Sequence, residues 1–299
     1  MKIKIEVFTL LVTLFFVQTA FAELSKLADN VYTYVDVKDA SPAHSFAANA
    51  GIIIGRDGVM VVDTLISAKE GKRFLSDIRK ITKKPIKYVI NTHAHLDHAF
   101  GNSVFAKQGA TVISHETERT TLATKGVEIL NSVGNYGLKP EDMAGTKIVV
   151  PTMAFSEKLL IDLGDVEIQL IRFAPSHTAG SVVVYLPKHK LLFAGDILFT
   201  DFHPFLADGD FNGWSKTIDS LLAMDVERII PGHGPLSSKK DLQEMQAYLT
   251  LFDTTARELV AQNMDAEAMT AELVKRLPKR TLAEWMIGYN LKARYLGKK

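Results

Sequence analysis

Short apolar runs separated by turn residues dominate the first quarter of the sequence and predict β-strands. The segment 31–35 makes one strand, and the runs 51–54 and 59–62 flank the quartet GRDG at 55–58. A turn-rich quartet between two apolar runs is typical of a β-hairpin.

Helical and extended patterns then alternate along the chain. Ser67 to Glu70 form a capping box that opens an amphipathic helix, which stops before Pro85. A strand at 86–90, a short helix at 100–106 and a strand at 111–114 follow. This alternation predicts an α/β protein with a layered architecture.

The next segment, 116–151, has no clear period and is broken by several glycines and by Pro140. We interpret it as an irregular surface segment near the site, and whether it forms a lid is left open. Strand patterns resume after it in four segments, 158–162, 166–173, 181–186 and 190–193. The second half of the chain is therefore expected to be built like the first.

Toward the end of the chain, apolar residues recur at helical spacing, first over 242–252 and then over 269–277. A second capping box, from Thr281 to Glu284, opens a last helix with Trp285 and Tyr289 on one face. These helices are expected to cover a sheet. For Trp285 and Tyr289 the alternatives are a dimer contact or the rim of a cleft.

The first 22 residues have the pattern of a secretory signal. Lys2 and Lys4 precede an apolar run at 7–17, and Ala20-Phe21-Ala22 is a small-x-small sequence. We expect cleavage after Ala22 and a mature protein, without a membrane segment, in the periplasm or outside the cell. A membrane anchor is the alternative, which the shortness of the apolar run disfavours.

The amino-acid composition argues against some classes of function and some kinds of metal site. Apolar residues make up 47% of the 299 residues, enough for a substantial core. The 35 basic and 34 acidic side chains give a net charge of +1, which argues against a nucleic-acid partner. Cysteine is absent, so any metal would be held by nitrogen and oxygen.

The densest group of candidate metal ligands is the motif HAHLDH at 93–98, which follows an apolar strand. On an extended segment His93 and His95 project to the same side, so both can reach one ion. Asp97 and His98 lie where the chain leaves the strand and can turn toward a second ion. Three imidazoles and a carboxylate in six residues predict a metal site, with a histidine-rich surface turn as the alternative.

Three more candidate ligands each lie at the end of an apolar strand: His177 in PSHTAG, Asp196 in AGD and His233 in PGHG. In layered α/β proteins, ligands collect at loops beyond strand ends. Each residue alone is weak evidence. Together with HAHLDH they offer seven nitrogen or oxygen ligands, enough for two ions that share one carboxylate.

The motifs HAHLDH, SHTAGS, AGD and PGHG, in this order and at these intervals, resemble those of the metallo-β-lactamase superfamily of binuclear hydrolases. The resemblance covers about 27–236. It implies an α/β fold that is a four-layer αββα sandwich, with two mixed sheets face to face, helices outside and the metals at one edge. The expected organisation is a signal peptide at 1–22, the metallo-β-lactamase-fold domain at 23–236 and C-terminal helices at 237–299 packed on the same domain.

The resemblance also implies the metal ligands. They fall into two sets that share one carboxylate: His93, His95 and His177 for the first metal, Asp97, His98 and His233 for the second, and Asp196 as the bridge between them. Asp63, at the end of its strand, matches a superfamily aspartate that supports the metal loop by hydrogen bonding.

Two such metals activate water as a nucleophile near neutral pH. The resemblance therefore implies a secreted metal-dependent hydrolase that uses a metal-bridging hydroxide to cleave an ester, thioester, lactone or related bond in a small molecule. Asp97 would orient the hydroxide and pass a proton to the leaving group. The expected cofactors are two Zn²⁺ ions, with iron or manganese as alternatives at the second position.

Two departures from the family pattern bear on the substrate. The β-lactamases of the family have cysteine or serine where this chain has Asp196, and many have lysine where it has Phe199. Thioester, lactone and sulfate ester hydrolases use the aspartate. A β-lactamase is thus the second candidate, kept because of the predicted periplasmic location. A nuclease is disfavoured by the balanced charge, and a non-catalytic metal-binding protein by the full ligand set.

The loop at 200–214 follows the bridging aspartate and is expected to line the cleft. The candidate substrate-pocket residues are aromatic, with simple packing as the alternative for each: Phe199, Phe202, His203, Phe205 and Trp214. Asp208 and Asp210 are interpreted as turn residues beside glycines. The sequence predicts neither the identity of the substrate nor the oligomeric state.

Overall fold

The computed structural model describes residues 24–35, 37 and 39–297. The predicted signal segment at 1–22 lies outside the described residues. Within the described part of the chain, no helix is long and apolar enough to cross a membrane.

The described strands form two sheets. The first sheet has seven strands in sequence order: β1 Leu24–Ala28, β2 Val31–Tyr34, β3 Ala50–Gly55, β4 Gly58–Val62, β5 Ile86–Ile90, β6 Thr111–His115 and β7 Met153–Phe155. The second has five, in the spatial order β12-β11-β10-β9-β8: β8 Lys158–Asp162, β9 Glu167–Ile171, β10 Val183–Leu186, β11 Leu191–Phe199 and β12 Arg228–His233.

Both sheets are mixed. In the first, β1 to β4 pair antiparallel and β4 to β7 pair parallel. In the second, only the β11–β12 pair is parallel. The predicted hairpin is confirmed, because Gly55 pairs with Gly58 and leaves Arg56 and Asp57 as a two-residue turn.

Helices connect the strands and cover the outer faces of the sheets. Their bounds are α1 Ala68–Ile81, α2 Leu96–Ala99, α3 Asn102–Ala106, α4 Glu116–Asn131, α5 Phe211–Ala223, α6 Lys239–Ala261, α7 Ala266–Arg276 and α8 Trp285–Tyr295. Helix α1 begins as predicted, since the Ser67 hydroxyl accepts a hydrogen bond from the Glu70 N–H at 3.3 Å.

Three apolar clusters define the layers. Ile53 and Ile113 of the first sheet meet Leu170 of the second in a cluster between the sheets. Phe74 of α1 and Phe105 of α3 pack on the outer face of the first sheet. A third cluster joins the outer face of the second sheet to α5 and to the helices that follow it. The four-layer αββα sandwich is therefore confirmed.

The C-terminal helices share that third cluster with the second sheet. Leu242 of α6, Leu273 of α7 and Leu291 of α8 belong to the same set of buried side chains as Leu198 of β11 and Ile218 of α5. In the described part of the chain, the segment after 236 therefore packs as a continuation of the outer helical layer.

The segment 116–151 is not irregular throughout, because its first half is the helix α4. The prediction missed this helix because its buried face is Glu118, Leu122 and Gly126. A face with one large apolar residue gives no amphipathic stripe, and the adjacent threonines do not favour a helix.

The short helix expected at 100–106 is confirmed as α3, which begins two residues later, at Asn102. Gly101 precedes it, and a Cβ atom there would lie 1.9 Å from the Thr64 carbonyl oxygen. One other helix prediction needs correction. The capping box at 281–284 does not form. Thr281 instead donates its N–H and hydroxyl to the Asp201 carboxylate, and α8 begins without a side-chain cap.

Helix α8 fixes the loop that follows β11. The Asn290 side chain is buried, donates to the Pro204 carbonyl at 2.8 Å and accepts from the Leu206 N–H at 2.7 Å. The Arg294 guanidinium donates to the carbonyls of Leu206 and Gly209, both at 2.7 Å. Backbone N–H and carbonyl groups of the loop thus find their hydrogen-bond partners in side chains of α8.

We expect the substitution Asn290→Ala to lower the free energy of unfolding by about 1–3 kcal/mol, because it leaves a buried N–H and a buried carbonyl unpaired. Urea denaturation measures the change. The control is Lys292→Ala, an exposed position on the same helix, which should change stability by less than about 0.5 kcal/mol. Equal stability of the two variants would contradict the role given to Asn290.

Candidate metal centre

Loops that leave the strands of both sheets converge at one edge of the sandwich. HAHLDH spans the loop after β5 and the start of α2, and His177 lies in the loop between β9 and β10. Asp196 lies within β11, which continues to Phe199 beyond its predicted end, and His233 is the last residue of β12. The register of β11 against β12 shifts on both sides of residue 195, so the strand bends where it carries Asp196.

The structure brings all seven candidate ligands together. They form two groups whose ligand atoms lie within 4.8 Å of one another: His93, His95, His177 and Asp196 in the first group, and Asp97, His98 and His233 in the second.

The Asp196 carboxylate lies between the two groups. Its Oδ2 atom is 3.7 Å from Nε2 of His93 and 3.3 Å from Nε2 of His177. Its Oδ1 atom is 3.1 Å from Nε2 of His98 and 3.6 Å from Nε2 of His233. Each oxygen thus faces a different group, which is the geometry that a bridging carboxylate requires.

Hydrogen bonds on the outer ring nitrogens orient the histidines of the second group. Nδ1 of His233 donates to the Phe46 carbonyl at 3.0 Å, and Nδ1 of His98 lies 2.8 Å from the Asp63 carboxylate. With these Nδ1 atoms engaged, the Nε2 atoms of both rings point inward. Such outer partners fix the ring orientation of metal-binding histidines.

Three inward atoms are buried without a well-formed hydrogen bond among the described residues: Nε2 of His93, which has no partner, and Nε2 of His98 and Oδ1 of Asp196, which lie 3.1 Å apart. A buried polar atom without a partner is costly, and a bound cation would satisfy all three. The donors are imidazole nitrogens and carboxylate oxygens, which suit zinc and also iron or manganese. The residues present therefore fit a pair of divalent cations.

The two groups differ in electrostatics. Burial lowers the pKa of His177 to about 3 and also lowers that of His93, so both rings are neutral. Burial disfavours the imidazolium of His233 too, but the carboxylates of Asp196 and Asp97 raise its pKa to about 9. The carboxylates thus favour positive charge at His233, where a cation would replace the proton.

Asp63 supports the metal loop, as the family resemblance implies. Its carboxylate accepts from the Thr92 N–H and hydroxyl, both at 2.8 Å, and contacts His98. Asp63 has a φ of 58°, a left-handed conformation that is unfavourable for a residue with a Cβ atom. The hydrogen bonds hold it in this conformation at the end of β4.

Glu118 also supports the site, and sequence reasoning missed it. The side chain comes from α4 and is buried. Its carboxylate accepts from the Ala94 N–H and the Gly180 N–H, both at 2.8 Å, and from the Thr178 hydroxyl at 3.0 Å. One carboxylate therefore joins the HAHLDH loop to the loop of His177. Because it belongs to no motif, nothing in the sequence distinguishes it from a surface glutamate.

Asp208 is also more than a turn residue. Its Oδ2 atom lies 3.0 Å from Nε2 of His95, while Nδ1 of His95 lies 2.9 Å from Nε2 of His177. The carboxylate thus holds His95 with Nδ1 directed toward the first group. Asp210 acts as expected for a turn residue, since it caps α5 by accepting from the Gly213 N–H at 2.8 Å.

Gly232 is required by the position of Asp196. A Cβ atom on Gly232 would lie 1.9 Å from Oδ1 of Asp196. Any larger residue would displace the carboxylate or the end of β12, so the glycine in PGHG is a steric requirement of the site.

Most of the predicted pocket residues form a buried shell behind the ligands. Phe199 stacks on His233 with ring centroids 5.1 Å apart, Phe202 lies 4.8 Å from the same ring, and Trp214 lies 5.4 Å from His177. All three aromatic side chains are buried. They fix the imidazoles from behind rather than face a substrate.

The other two predicted pocket residues differ from each other. His203 is buried, its Nδ1 lies 2.9 Å from the Tyr248 hydroxyl, and burial lowers its pKa to about 4. Phe205 is partly exposed, with its ring 5.3 Å from that of His95. The prediction of a substrate contact is therefore kept for Phe205.

Comparison with known proteins places the chain in a family. The family model described as the metallo-beta-lactamase superfamily matches residues 45–233. The chain is 26% identical over 206 residues to the 2,4-dinitroanisole O-demethylase subunit alpha of Nocardioides sp. and 25% identical over 223 residues to the linear primary-alkylsulfatase of Pseudomonas sp.. It is 26% identical over 251 residues to a metallo-beta-lactamase type 2 of Elizabethkingia meningoseptica.

The relatives differ in length. The match covers 68% of this chain for the demethylase subunit, 63% for the alkylsulfatase and 82% for the metallo-beta-lactamase. The matches span 57% of the demethylase subunit and 42% of the alkylsulfatase, but 91% of the metallo-beta-lactamase. The chain thus corresponds to only part of the first two proteins.

Solved structures share the fold. A metallo-beta-lactamase from Pontibacter korlensis superposes with a TM-score of 0.59 at 21% identity, over 76% of this chain and 98% of its own. The sec-alkylsulfatase Pisa1 from Pseudomonas sp. superposes with a TM-score of 0.70 at 20% identity, over 92% of this chain and 50% of its own. Residues 1–236 alone are too few to make up 92% of this chain. The match to Pisa1 therefore extends into the C-terminal helices.

We expect the purified protein to bind about two equivalents of Zn²⁺, and Asp196→Asn to weaken both sites, because Asp196 faces both groups of ligands. Equilibrium dialysis followed by elemental analysis measures the stoichiometry and affinity. Asp225→Asn, at an exposed carboxylate, is the control and should bind as the wild type does. Two equivalents of unchanged affinity in Asp196→Asn would contradict the shared carboxylate.

We expect Glu118→Gln to lower the free energy of unfolding by about 1–3 kcal/mol and the metal affinity by about 10- to 100-fold, because the amide NH₂ would face backbone N–H donors. Thermal unfolding and competition with a chelating dye measure the two effects. Glu116→Gln, exposed on the first turn of the same helix, is the matched control. If both variants behave like the wild type, Glu118 does not join the two loops.

Proposed function

The chain belongs to the metallo-beta-lactamase superfamily, and from this premise we propose that it is a binuclear zinc-dependent hydrolase of an ester, thioester, lactone or related bond. The observation that carries the proposal is the position of Asp196. One carboxylate oxygen faces each group of ligands, and the sequence has no cysteine that could supply a thiolate ligand.

The residues of the site have two proposed roles, metal binding and proton transfer. When bound, a pair of divalent cations lowers the pKa of water and polarises the bond to be cleaved. His93, His95 and His177 would hold one cation, and Asp97, His98 and His233 the other, with Asp196 shared.

Asp97 is the candidate for proton transfer. Burial opposes its ionisation, but His98 and His233 hold the pKa of the carboxyl below its usual value, so the side chain is a carboxylate at neutral pH. Its Oδ2 atom lies 3.3 Å from Nε2 of His233. In this position Asp97 would orient an attacking water and pass the proton to the leaving atom.

Among the candidate substrates, ester-type bonds are favoured over β-lactams. The aspartate at 196 is the residue that ester-hydrolysing members of the family use. Phe199, where many β-lactamases have a lysine, is buried against His233 and offers no positive charge to a drug carboxylate. The alkylsulfatase among the relatives is consistent with cleavage of an ester-type bond.

A β-lactamase is the second candidate. The metallo-beta-lactamase of Elizabethkingia meningoseptica is the relative whose full length this chain matches best among the three named above, at 91%. A periplasmic location, predicted from residues 1–22, would place the protein where β-lactams act.

A substrate panel separates the two candidates. The panel comprises nitrocefin, an acyl-homoserine lactone, lactoylglutathione, and aryl sulfate and phosphate esters. We expect turnover of an ester, thioester or lactone by the zinc-loaded protein. Rapid turnover of nitrocefin with none of the others would reverse the ranking, and no turnover of any compound would contradict hydrolysis.

We expect Asp97→Asn to lower kcat by about 10²- to 10⁴-fold on the best substrate of the panel, because the amide cannot accept the proton. Circular dichroism and elemental analysis of the same sample show whether fold and zinc are retained. Asp225→Asn again serves as the control. A zinc-loaded Asp97→Asn variant with the wild-type kcat would remove Asp97 from the mechanism.

A further inference from the structure

Outside the ligand shell, aromatic rings extend from the candidate metal centre to the surface. The Phe205 ring lies edge-on to His95 at 5.3 Å, and the Tyr289 ring lies 5.6 Å from Phe205 with a tilt of 34°. The Trp285 ring lies 6.4 Å from Tyr289. We call Phe205, Tyr289 and Trp285 the aromatic track.

The outer end of the aromatic track is exposed. Trp285 is 59% and Tyr289 46% exposed, and the third exposed aromatic side chain among the described residues is Tyr136, at 39%. Two of the three exposed aromatic side chains of the described residues therefore belong to the aromatic track, and an exposed apolar patch of this kind marks a binding site.

The aromatic track is held in place. Tyr289 precedes Asn290, whose side chain bonds to the backbone of residues 204 and 206 on either side of Phe205. Arg294 adds hydrogen bonds to Leu206 and Gly209. Hydrogen bonds thus join helix α8 to the loop of Phe205, which lowers the cost of ordering this loop when a ligand binds.

Charge bears on what the aromatic track can bind. Asp208 lies on the same loop as Phe205, is largely exposed and carries a carboxylate next to His95. An uncharged ring gains contact area with Phe205 and Tyr289 and needs no charged partner beside the Asp208 carboxylate.

We propose that the aromatic track binds a flat, uncharged apolar group of the substrate, next to the bond that is cleaved at the metal centre. The proposal rests on the hydrolase function proposed above and narrows its substrate class to molecules with an aryl or similar group beside the scissile bond. Tyr289 and Trp285, which come from the C-terminal helix, would then determine specificity.

The first test measures binding without hydrolysis. The sequence has only two tryptophans, the buried Trp214 and the exposed Trp285, so fluorescence reports on the aromatic track. The probe is 4-nitrobenzyl alcohol, an uncharged nitroaryl quencher. We expect saturable quenching in the wild type and a Kd at least about 5-fold higher in Tyr289→Ala.

The control for this test is Leu251→Ala, at an exposed apolar position on α6, which should keep the wild-type Kd. Tyr289→Phe, which preserves the ring, should restore most of the affinity. Quenching that rises linearly with probe concentration, with the same slope in the wild type and Tyr289→Ala, would overturn the proposal.

The second test measures specificity in the zinc-loaded protein by pH-stat. One series varies the acyl group of methyl esters, from acetate to phenylacetate to 2-naphthylacetate. The other varies the alcohol of acetate esters, from methanol to benzyl alcohol to 2-naphthylmethanol. In at least one of the two series we expect kcat/KM to be at least about 10-fold higher for the aryl compounds than for the methyl compound, mainly because KM is lower.

In Phe205→Leu and Tyr289→Ala the ratio of aryl to methyl kcat/KM should fall toward one, and in Leu251→Ala it should not change. Wild-type ratios near one in both series would overturn the proposal. Saturable probe binding in a protein that hydrolyses no ester, lactone or β-lactam would contradict the proposed function and leave the aromatic track as a binding site. If the protein hydrolyses esters but shows neither an aryl preference nor saturable probe binding, the proposed hydrolase function stands and the aromatic track is not a binding site.

Discussion

The structure depends on the burial of one carboxylate. Asp196 lies inside a strand of the second sheet, and four imidazoles face its two oxygens. Burying a charge is costly unless partners surround it. Here burial opposes the ionisation of Asp196, yet His98 and the other imidazoles hold its pKa well below the usual value. The bend in β11 and the lack of a side chain at Gly232 give the carboxylate its place.

Such a site needs support, because His93, His95 and His177 come from loops and not from the sheets themselves. Two buried carboxylates from different elements provide it. Asp63 ends a strand of the first sheet and fixes Thr92 and His98, while Glu118 comes from α4 and fixes the backbone of Ala94 and Gly180. The two strand-end loops are thus held relative to each other before any cation binds, which is the preorganisation that hydrolytic sites require.

The sequence predicted the parts of the fold that depend on local pattern. The hairpin at 55–58, the start of α1 and the strand before HAHLDH all appear where apolar runs and turn residues indicated them. The ligand residues were identifiable because metal chemistry limits the residue types, so their spacing is informative.

The remaining features depend on contacts that are distant in the sequence. Helix α4 was missed because its buried face contains a carboxylate and a glycine instead of an apolar stripe. Glu118 and Asp208 have no local signal, since each is defined by a partner more than twenty residues away. Thr281 matches a capping box by sequence, but its hydroxyl forms a tertiary hydrogen bond with Asp201 instead.

The hydrogen bonds from Asn290 and Arg294 to the loop of Asp208 also bear on how the protein is made. A chain emerges from the ribosome with its N-terminus first and folds as it lengthens. The last ligand, His233, is present long before Asn290, but the loop that orients His95 acquires its backbone partners only when α8 is complete. The final geometry of the first ligand group therefore depends on a helix that is synthesised after all seven ligands.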